Sequence, residues 1–345
     1  MSLPIGSKGR ARVSTTEADI TGTDAVDRAL ETIAAVRAGI AGAVIGQETV
    51  VEQTLCAILA GGHAMLVGAP GLAKTTLVEA IAQVFRLDWR RVQFTPDLMP
   101  ADILGSEVLE EGPDGRRAFR FIEGPVFTSL LVADEINRAS PRTQSALLQA
   151  MQERHVTVAG VRRDLPAPFH VVATRNPIEQ EGAYPLPEAQ LDRFLLEVDV
   201  GYPDAATERA ILTATTGRTA LAARPAATHD DLVALQALVR AMPVGERVLD
   251  AILSLVRSAR PETAARADVR RDVTWGPGPR AGQALSLAVR ARALIRGRLA
   301  PSLDDVVSLA RPALAHRMAL GYRAIADGAS LSGLIATLAE EATKA

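Results

Sequence analysis

Cysteine is almost absent from this chain. Cys56 is the only one in 345 residues, which excludes an internal disulfide and a cysteine-based zinc cluster. Its neighbours Leu55, Ile58 and Leu59 suit a small core residue. Aromatic residues make up only 3%, and they are not interleaved with basic residues in the way that grips single-stranded nucleic acid. Neither sign of charge is in excess: the formal net charge is -2, so nothing global draws the chain to nucleic acid or to an anionic membrane. No apolar run is long enough to cross a bilayer and no secretory h-region is evident. No membrane insertion is therefore expected, and the cytoplasm is the default compartment. Internal repeats and low-complexity stretches are lacking too.

What is present is a hydrophobic fraction of 48%, enough for a substantial core, in a length that suits two domains. Residues 1–24 are polar and read as a flexible tail without chemistry. An amphipathic helix is expected from Val26 to about Ala38 with Gly39 as its stop, then a turn at Val44-Ile45-Gly46-Gln47 and a helix from Val50 to Ala60. Strands are expected at Ala64 to Val67, Arg91 to Phe94, Ser129 to Ala133, His170 to Thr174 and Phe194 to Val200, with helices such as Thr143 to Glu153 between them. That alternation predicts a parallel α/β sheet, with ligand groups at the carboxyl ends of its strands. Two segments break the rhythm, residues 94–127 around the turn Gly112-Pro113-Asp114-Gly115 and residues 154–164; both read as inserted hairpins, serving contact with a partner or, on the plainer reading, as decorative surface insertions. Beyond residue 202, stripes at helical spacing such as Leu232, Leu235, Leu238 and Val239 replace strands. Residues 25–202 are thus expected as an α/β domain and residues 203–345 as a small helical domain.

Gly68-Ala69-Pro70-Gly71-Leu72-Ala73-Lys74-Thr75, between an apolar strand and a helix, has the composition of a phosphate-binding loop. Backbone N–H groups of a Gly-rich turn converge on phosphate at a helix N-terminus, a lysine neutralises the β/γ charge and a hydroxyl joins the magnesium shell. Gly68, Pro70, Gly71, Leu72, Ala73, Lys74, Thr75 and Thr76 are the candidates for holding ATP. The strict pattern has glycine where this chain has Ala73; a methyl group is tolerable there if φ is negative. Sixty residues on, Leu130-Leu131-Val132-Ala133 runs into Asp134 and Glu135. With Thr75, Asp134 would hold Mg2+, and Glu135 would polarise the attacking water. The competing readings are a chance Gly-rich turn and a strand ending in a solvated acidic turn.

Several longer strings carry a resemblance. Gln93-Phe94-Thr95-Pro96-Asp97-Leu98-Met99-Pro100, Asp134-Glu135-Ile136-Asn137-Arg138-Ala139, Ala173-Thr174-Arg175-Asn176-Pro177 and Glu181-Gly182-Ala183-Tyr184-Pro185 through Leu191-Asp192-Arg193-Phe194 resemble the MoxR family of AAA+ ATPases over roughly residues 25–320. In that family alanine is common before the loop lysine. The resemblance implies a P-loop NTPase core with a five-stranded parallel sheet, followed by an all-α lid, with ATP and Mg2+ bound and Val44, Ile45 and Gly46 near the adenine. It makes Asn176 the sensor 1 residue and Arg193 an arginine finger directed at a neighbouring subunit. Arg280, in Trp275-Gly276-Pro277-Gly278-Pro279-Arg280, becomes a sensor 2 arginine on the γ-phosphate of its own subunit, although Trp275 and Gly278 depart from the usual wording. The plainer alternatives are an Asn176 that caps a turn and an Arg193 paired with Asp192. Arg317 also lies in a family-like string, with its contact to nucleotide left open, and His316 reads equally as a packed helix residue.

An arginine supplied in trans implies a homo-oligomeric ring, expected as a hexamer, in which hydrolysis moves the two hairpins. The resemblance further implies a chaperone-like remodeller of protein clients that aids assembly or cofactor and metal insertion, partnered by a von Willebrand factor A domain protein. Magnesium-chelatase-type and gas-vesicle-type motors are the related alternatives. A nucleotide-gated scaffold with negligible turnover is the alternative of another class, and a DNA motor is disfavoured by the charge and by the lack of a DNA-binding module.

Overall fold

Five short strands, four of them buried at nearly every position, pair in parallel in the computed structural model, which describes residues 22–111, 115–177, 184–216 and 221–344. In chain order the first part comprises α1 (Thr23–Ala41), α2 (Glu48–Leu59), β1 (Ala64–Val67), α3 (Lys74–Val84), β2 (Trp89–Gln93), α4 (Pro100–Leu104), β3 (Gly105–Glu111), β4 (Arg117–Glu123), β5 (Leu130–Asp134), α5 (Pro141–Glu153), β6 (His155–Val158), β7 (Val161–Asp164), β8 (His170–Arg175), α6 (Glu188–Leu191) and β9 (Leu196–Asp199). Then follow α7 (Ala205–Thr215), α8 (His229–Ala241), α9 (Glu246–Ser258), α10 (Ala267–Asp272), β10 (Val273–Trp275), α11 (Pro279–Ile295), α12 (Leu303–Leu314), β11 (Ala319–Leu320), α13 (Tyr322–Ala326) and α14 (Leu331–Lys344). Of the tail expected over residues 1–24, residues 1–21 lie outside the described residues, as do the turn residues Gly112, Pro113 and Asp114 and the string Glu181-Gly182-Ala183, whereas Thr23 and Asp24 are not tail but the first turn of α1.

The sheet order is β2-β5-β8-β1-β9, which places the strand before the phosphate loop between β8 and β9. Successive side chains of a strand face opposite ways, and the two faces feed separate cores. Leu66, Val132, Val172 and Val198 point to one, where α1, α2 and α3 pack; Met65, Leu131, Val171 and Ala173 point to the other, where α5 lies. The first core continues without a break into Leu235, Leu255, Leu285 and Leu309 of the helical part. Strand β2, an edge, buries only Val92.

The helical part sits where its connection carries it. Beyond α7 the chain runs back across α1 and α3, where Arg224 N–H bonds to Gly39 O and the N–H groups of Ala226 and Ala227 to Val84 O. Gly39 is therefore not a helix stop: it lies inside α1, and a Cβ there would stand 2.5 Å from Arg224 O. Helix α11 then packs on α2, fixed by Arg292 and Arg296 on Glu52 at 2.8 and 2.6 Å. Arg292 and Arg298 also close on the fully buried Asp305 at 2.5 and 2.7 Å. Breaking such a pair from one side typically costs about 3–5 kcal/mol.

Both hairpins form, β3 with β4 in register from Gly105↔Glu123 to Glu111↔Arg117, and β6 with β7. They touch each other. Arg163 of β7 lies 3.8 Å from the Phe121 ring centroid of β4 and 3.7 Å from Glu107 of β3, a cation–π contact that holds one ribbon on the other. Exposed apolar residues Leu109 and Phe119 lie on the first ribbon.

Candidate active site

The phosphate loop leaves β1 and enters α3 through Gly71, at φ +80°, and Ala73, at φ +55° and ψ +23°. A negative φ at Ala73 is thus not what the loop adopts; the methyl group sits in the left-handed region, which costs an alanine roughly 1–2 kcal/mol. Gly68 is required for a different reason: a Cβ there would lie 2.4 Å from Val200 O, where the loop crosses the end of β9. The Lys74 ammonium folds back to donate to Gly68 O at 2.6 Å and Ala69 O at 2.8 Å. It is a cation held by two carbonyls at the N-terminus of a helix, where a phosphate group would find both the charge and the helix dipole.

Beside the loop lies a cavity of about 480 Å³. Val44, Ile45, Leu72 and Ile211 give it apolar walls, and Gly71, Ala73 and Thr76 also line it. Gly46 does not line it; it sits at φ +68° under α7, where a Cβ would stand 2.1 Å from Thr207 Cγ2, so glycine lets that helix close over the cavity. Gly68, Pro70, Lys74 and Thr75 are likewise outside the cavity lining, although Pro70, Lys74 and Thr75 adjoin its lining residues Gly71, Ala73 and Thr76 in the chain. Sequence reasoning missed Gln47, which lines the cavity and donates to Leu72 O at 3.3 Å, tying the two loops together. It also missed Ile211, Ala214, Thr215 and Leu221, whose role depends on where α7 lands.

At the carboxyl end of β5, Asp134 is buried and Glu135 turns out at φ +54°. A non-glycine residue there stores strain that the surroundings must hold. Thr174 at the end of β8 does so twice: it accepts from Glu135 N–H at 2.9 Å and donates to Asp134 Oδ1 at 2.5 Å. Oδ2 of Asp134 accepts from Nη2 and Nε of Arg91 at 2.5 and 3.1 Å. Oε2 of Glu135 accepts from Gln93 at 2.7 Å and from Arg138 at 2.9 Å. Asn176 follows β8 at the same sheet edge and is buried. Arg91, Gln93 and Thr174 escaped the sequence reading; the signal available was that Arg91 and Gln93, two apart on a strand, must share a face.

The two arginines lie elsewhere. Arg193 and Arg280 line a second cavity, of about 240 Å³, together with Gln152, Asp192 and Gln283. Its floor includes Gly62, just before β1, and Leu195, just before β9, so it opens at the amino ends of strands whose carboxyl ends carry the phosphate loop. A four-residue strand spans about 13 Å. Arg280 therefore stands across the sheet from its own phosphate loop, contrary to the same-subunit contact expected of it. Arg193 donates to Gln152 at 3.0 Å rather than to Asp192. Asp192 instead pairs with Arg317 at 2.6 Å and Arg280 at 3.6 Å. All five N–H donors of Arg317 are used, on Asp192 Oδ1 and O, Leu195 O, Ala313 O and Phe194 O. Burial lowers its pKa and Asp192 opposes that shift; it is a brace with no donor left for a ligand. His316 is buried beside it, its Nε2–H donating to Phe194 O at 3.1 Å.

The donor set fits a magnesium nucleotide. Among the described residues no group of three His, Cys, Asp or Glu could hold a metal, and Mg2+ commonly binds through one or two carboxylates with phosphate and water completing the octahedron. Asp134 and Thr75 are the residues that would hold it. No described helix is long and apolar enough to cross a membrane, and Cys56 is buried, its thiol pushed well above the ordinary range by burial and by Glu52.

Comparison with known proteins agrees with this fold. The profile of the ATPase family associated with various cellular activities (AAA) matches residues 63–196, and that of the AAA lid domain matches residues 265–336. The chain is 43% identical to chaperone MoxR1 of Mycobacterium tuberculosis over 82% of its own length and 74% of that protein's. It is 34% identical to the MoxR protein of Paracoccus denitrificans over 82% and 87% of the two chains. A crystallised protein of Cytophaga hutchinsonii, assigned as an ATPase, superposes with a TM-score of 0.84 at 33% identity, covering 91% of this chain and 95% of that one. With a parallel five-stranded core, a helical lid and relatives of this closeness along most of its length, the chain belongs to the MoxR family of AAA+ ATPases.

Proposed function

We propose that this protein hydrolyses ATP in a ring of its own copies and uses the cycle to remodel protein clients in the manner of a chaperone. The observation that carries the reading is the separation of Arg193 and Arg280 from the phosphate loop of the same chain. Two arginines in one cavity at the far sheet edge are of use to a phosphate only if it belongs to a neighbouring copy, and a heterologous contact of that kind gives a ring where its rotation closes. Six copies is the family expectation. The name of the M. tuberculosis relative supports the chaperone role; a von Willebrand factor A domain partner and a role in metal or cofactor insertion belong to the same proposal.

In the reaction Lys74 would leave the carbonyls of Gly68 and Ala69 for the β/γ-phosphates, while the N–H groups at the start of α3 bind phosphate oxygens. Asp134 and Thr75 would hold Mg2+, which when bound would supply positive charge to offset that of the phosphate groups. Glu135, released from Gln93 and Arg138, would orient and polarise the water with Asn176 beside it. Arg193 and Arg280 of the adjacent copy would meet the charge that develops on the transferred phosphoryl group. The paired hairpins, joined through Arg163, would carry the resulting motion to the client as one body.

The test is steady-state ATP hydrolysis per subunit over a wide range of protein concentration with Mg2+ present. Specific activity that climbs with concentration is expected; tight ATP binding with flat, negligible turnover would favour the scaffold reading instead.

A further inference from the structure

The carboxylate that would hold the metal already carries a cation. Asp134 Oδ2 receives two donors from Arg91, Nη2 at 2.5 Å and Nε at 3.1 Å, while Thr174 occupies Oδ1. Nη2 of Arg91 also reaches Gln93 Oε1 at 3.3 Å, and the other end of that amide donates to Glu135. In the register of β2 with β5, Gln93 lies opposite Asp134 and Arg91 opposite Val132. Residues two apart on a strand share a face, so both side chains reach over the acid pair. The result is a continuous path of hydrogen bonds, Asp134 to Arg91 to Gln93 to Glu135. It lies on an edge strand that leads directly into α4 and the first hairpin.

We propose that Arg91 is the resident counter-cation of Asp134 and a positioning residue of the ATPase site: it neutralises that carboxylate before the metal arrives and yields it when Mg2+ binds. This rests on the reading of Asp134 as the metal carboxylate. A buried carboxylate beside an incoming polyphosphate would repel it, and the guanidinium removes that repulsion. A dication close to the same oxygen repels the guanidinium in turn. The Arg91 side chain is 48% exposed, so water can receive it, and an ion pair of that exposure is weak enough to exchange. As Arg91 leaves, Gln93 loses its second partner and its hold on Glu135 loosens. Metal arrival and release of the water-polarising carboxylate thus become one event.

The experiment measures binding of a fluorescent ATP analogue to the full chain in excess EDTA and over a Mg2+ titration, for wild type, Arg91→Ala, Arg91→Lys, Asp134→Asn and the double variant R91A/D134N. Arg91→Ala is expected to weaken metal-free binding and to lower the half-saturating Mg2+ concentration, each by roughly fivefold, the size of a half-exposed ion pair. Arg91→Lys should restore most of both. On the Asp134→Asn background, Arg91→Ala should change neither. Unchanged constants in Arg91→Ala, or a shift of equal size without the Asp134 charge, would overturn the proposal. Failure of the wild type to bind the analogue even with Mg2+ would instead overturn the nucleotide reading itself, and the Arg91 proposal with it.

Discussion

The amide of Gln93, at the end of β2, donates a 2.7 Å hydrogen bond to Oε2 of Glu135, at the end of β5. The two residues are 42 apart in sequence and meet because β2 and β5 are parallel neighbours ending at the same edge. A donor on that oxygen occupies a lone pair that would otherwise take up a water. Arg138 donates to the same atom, so Glu135 is held by two groups rather than poised for catalysis.

Replacing Gln93 with Ala should therefore raise basal ATP hydrolysis roughly three- to tenfold, up to about 1.4 kcal/mol of barrier, while leaving ATP affinity as it is. Steady-state rates and equilibrium binding on the same preparation decide it. A rate equal to that of the wild type would mean that Arg138 alone sets the position of Glu135.

Ala73 offers a test at the backbone. Its φ of +55° is one that glycine adopts freely, so Ala73→Gly should relieve strain of roughly 1–2 kcal/mol. About half of that is returned through the greater freedom of glycine in the unfolded chain. The net gain should be up to about 1 kcal/mol, and Ala73→Val should lose more than that, because a β-branched residue is far worse there. Urea unfolding measures both, and a destabilised glycine variant would refute the argument.

Much of this molecule was legible along the chain, for a physical reason. Strands such as Ala64–Val67 and Leu130–Asp134 are buried on both faces and read as unbroken apolar runs, and a phosphate loop is a local structure whose residues adjoin in sequence. What was hidden depends on distant contacts. Gly39 is glycine because Arg224 crosses it, and Gly46 because Thr207 does. The place of Arg280 follows from α11 lying on α2, which Glu52 and Arg292 fix across 240 residues. No local pattern announces that Arg280 will stand at the opposite end of the sheet from Lys74.

Arg317 separates bracing from catalysis. Its guanidinium is 2% exposed and spends all its donors on Asp192 and four backbone carbonyls. Arg317→Ala should cost about 3–5 kcal/mol of stability, the usual effect of breaking a buried pair from one side. Arg280→Ala, at an exposed side chain, should cost less than about 1 kcal/mol yet lose most hydrolysis. Thermal unfolding beside ATPase assays distinguishes them, and a stable but inactive Arg317→Ala would contradict the bracing role.

Arg193→Ala should bind ATP normally and hydrolyse it slowly, whereas Lys74→Ala should not bind it. In a ring whose sites are completed by the neighbour, a Lys74→Ala copy still offers its Arg193 to an adjoining Arg193→Ala copy. Mixing the two inactive variants in equal amounts should restore activity at about a quarter of the interfaces. Activity no greater than the sum of the separate variants would place both residues in one chain's site.

Three buried histidines, His63, His170 and His316, make stability depend on pH, burial lowering the pKa of each. His63 Nδ1 accepts from Val171 N–H at 2.9 Å, which leaves its proton on Nε2 toward Met151 O. His170 holds its proton on Nδ1 toward Gly62 O at 2.7 Å, with the Gln236 amide donating to Nε2. Neither free nitrogen can take a second proton without facing a donor, and burial is the main cause that lowers the pKa to about 3 for His63 and about 4 for His170, with Arg154 opposing the charged form of both and His170 that of His63. Because the folded values lie below the unfolded value near 6.5, the unfolded chain binds more protons between those limits, so stability falls as pH drops through that window. At pH 5 each histidine should have cost about 2 kcal/mol relative to pH 7.5, since one and a half pKa units separate pH 5 from the unfolded value. Urea unfolding at pH 7.5, 6 and 5 should show a loss approaching about 6 kcal/mol for the three together, and His170→Gln should remove part of it. A flat profile would mean that these imidazoles charge within the fold, which burial and the hydrogen-bond partners of His63 and His170 forbid.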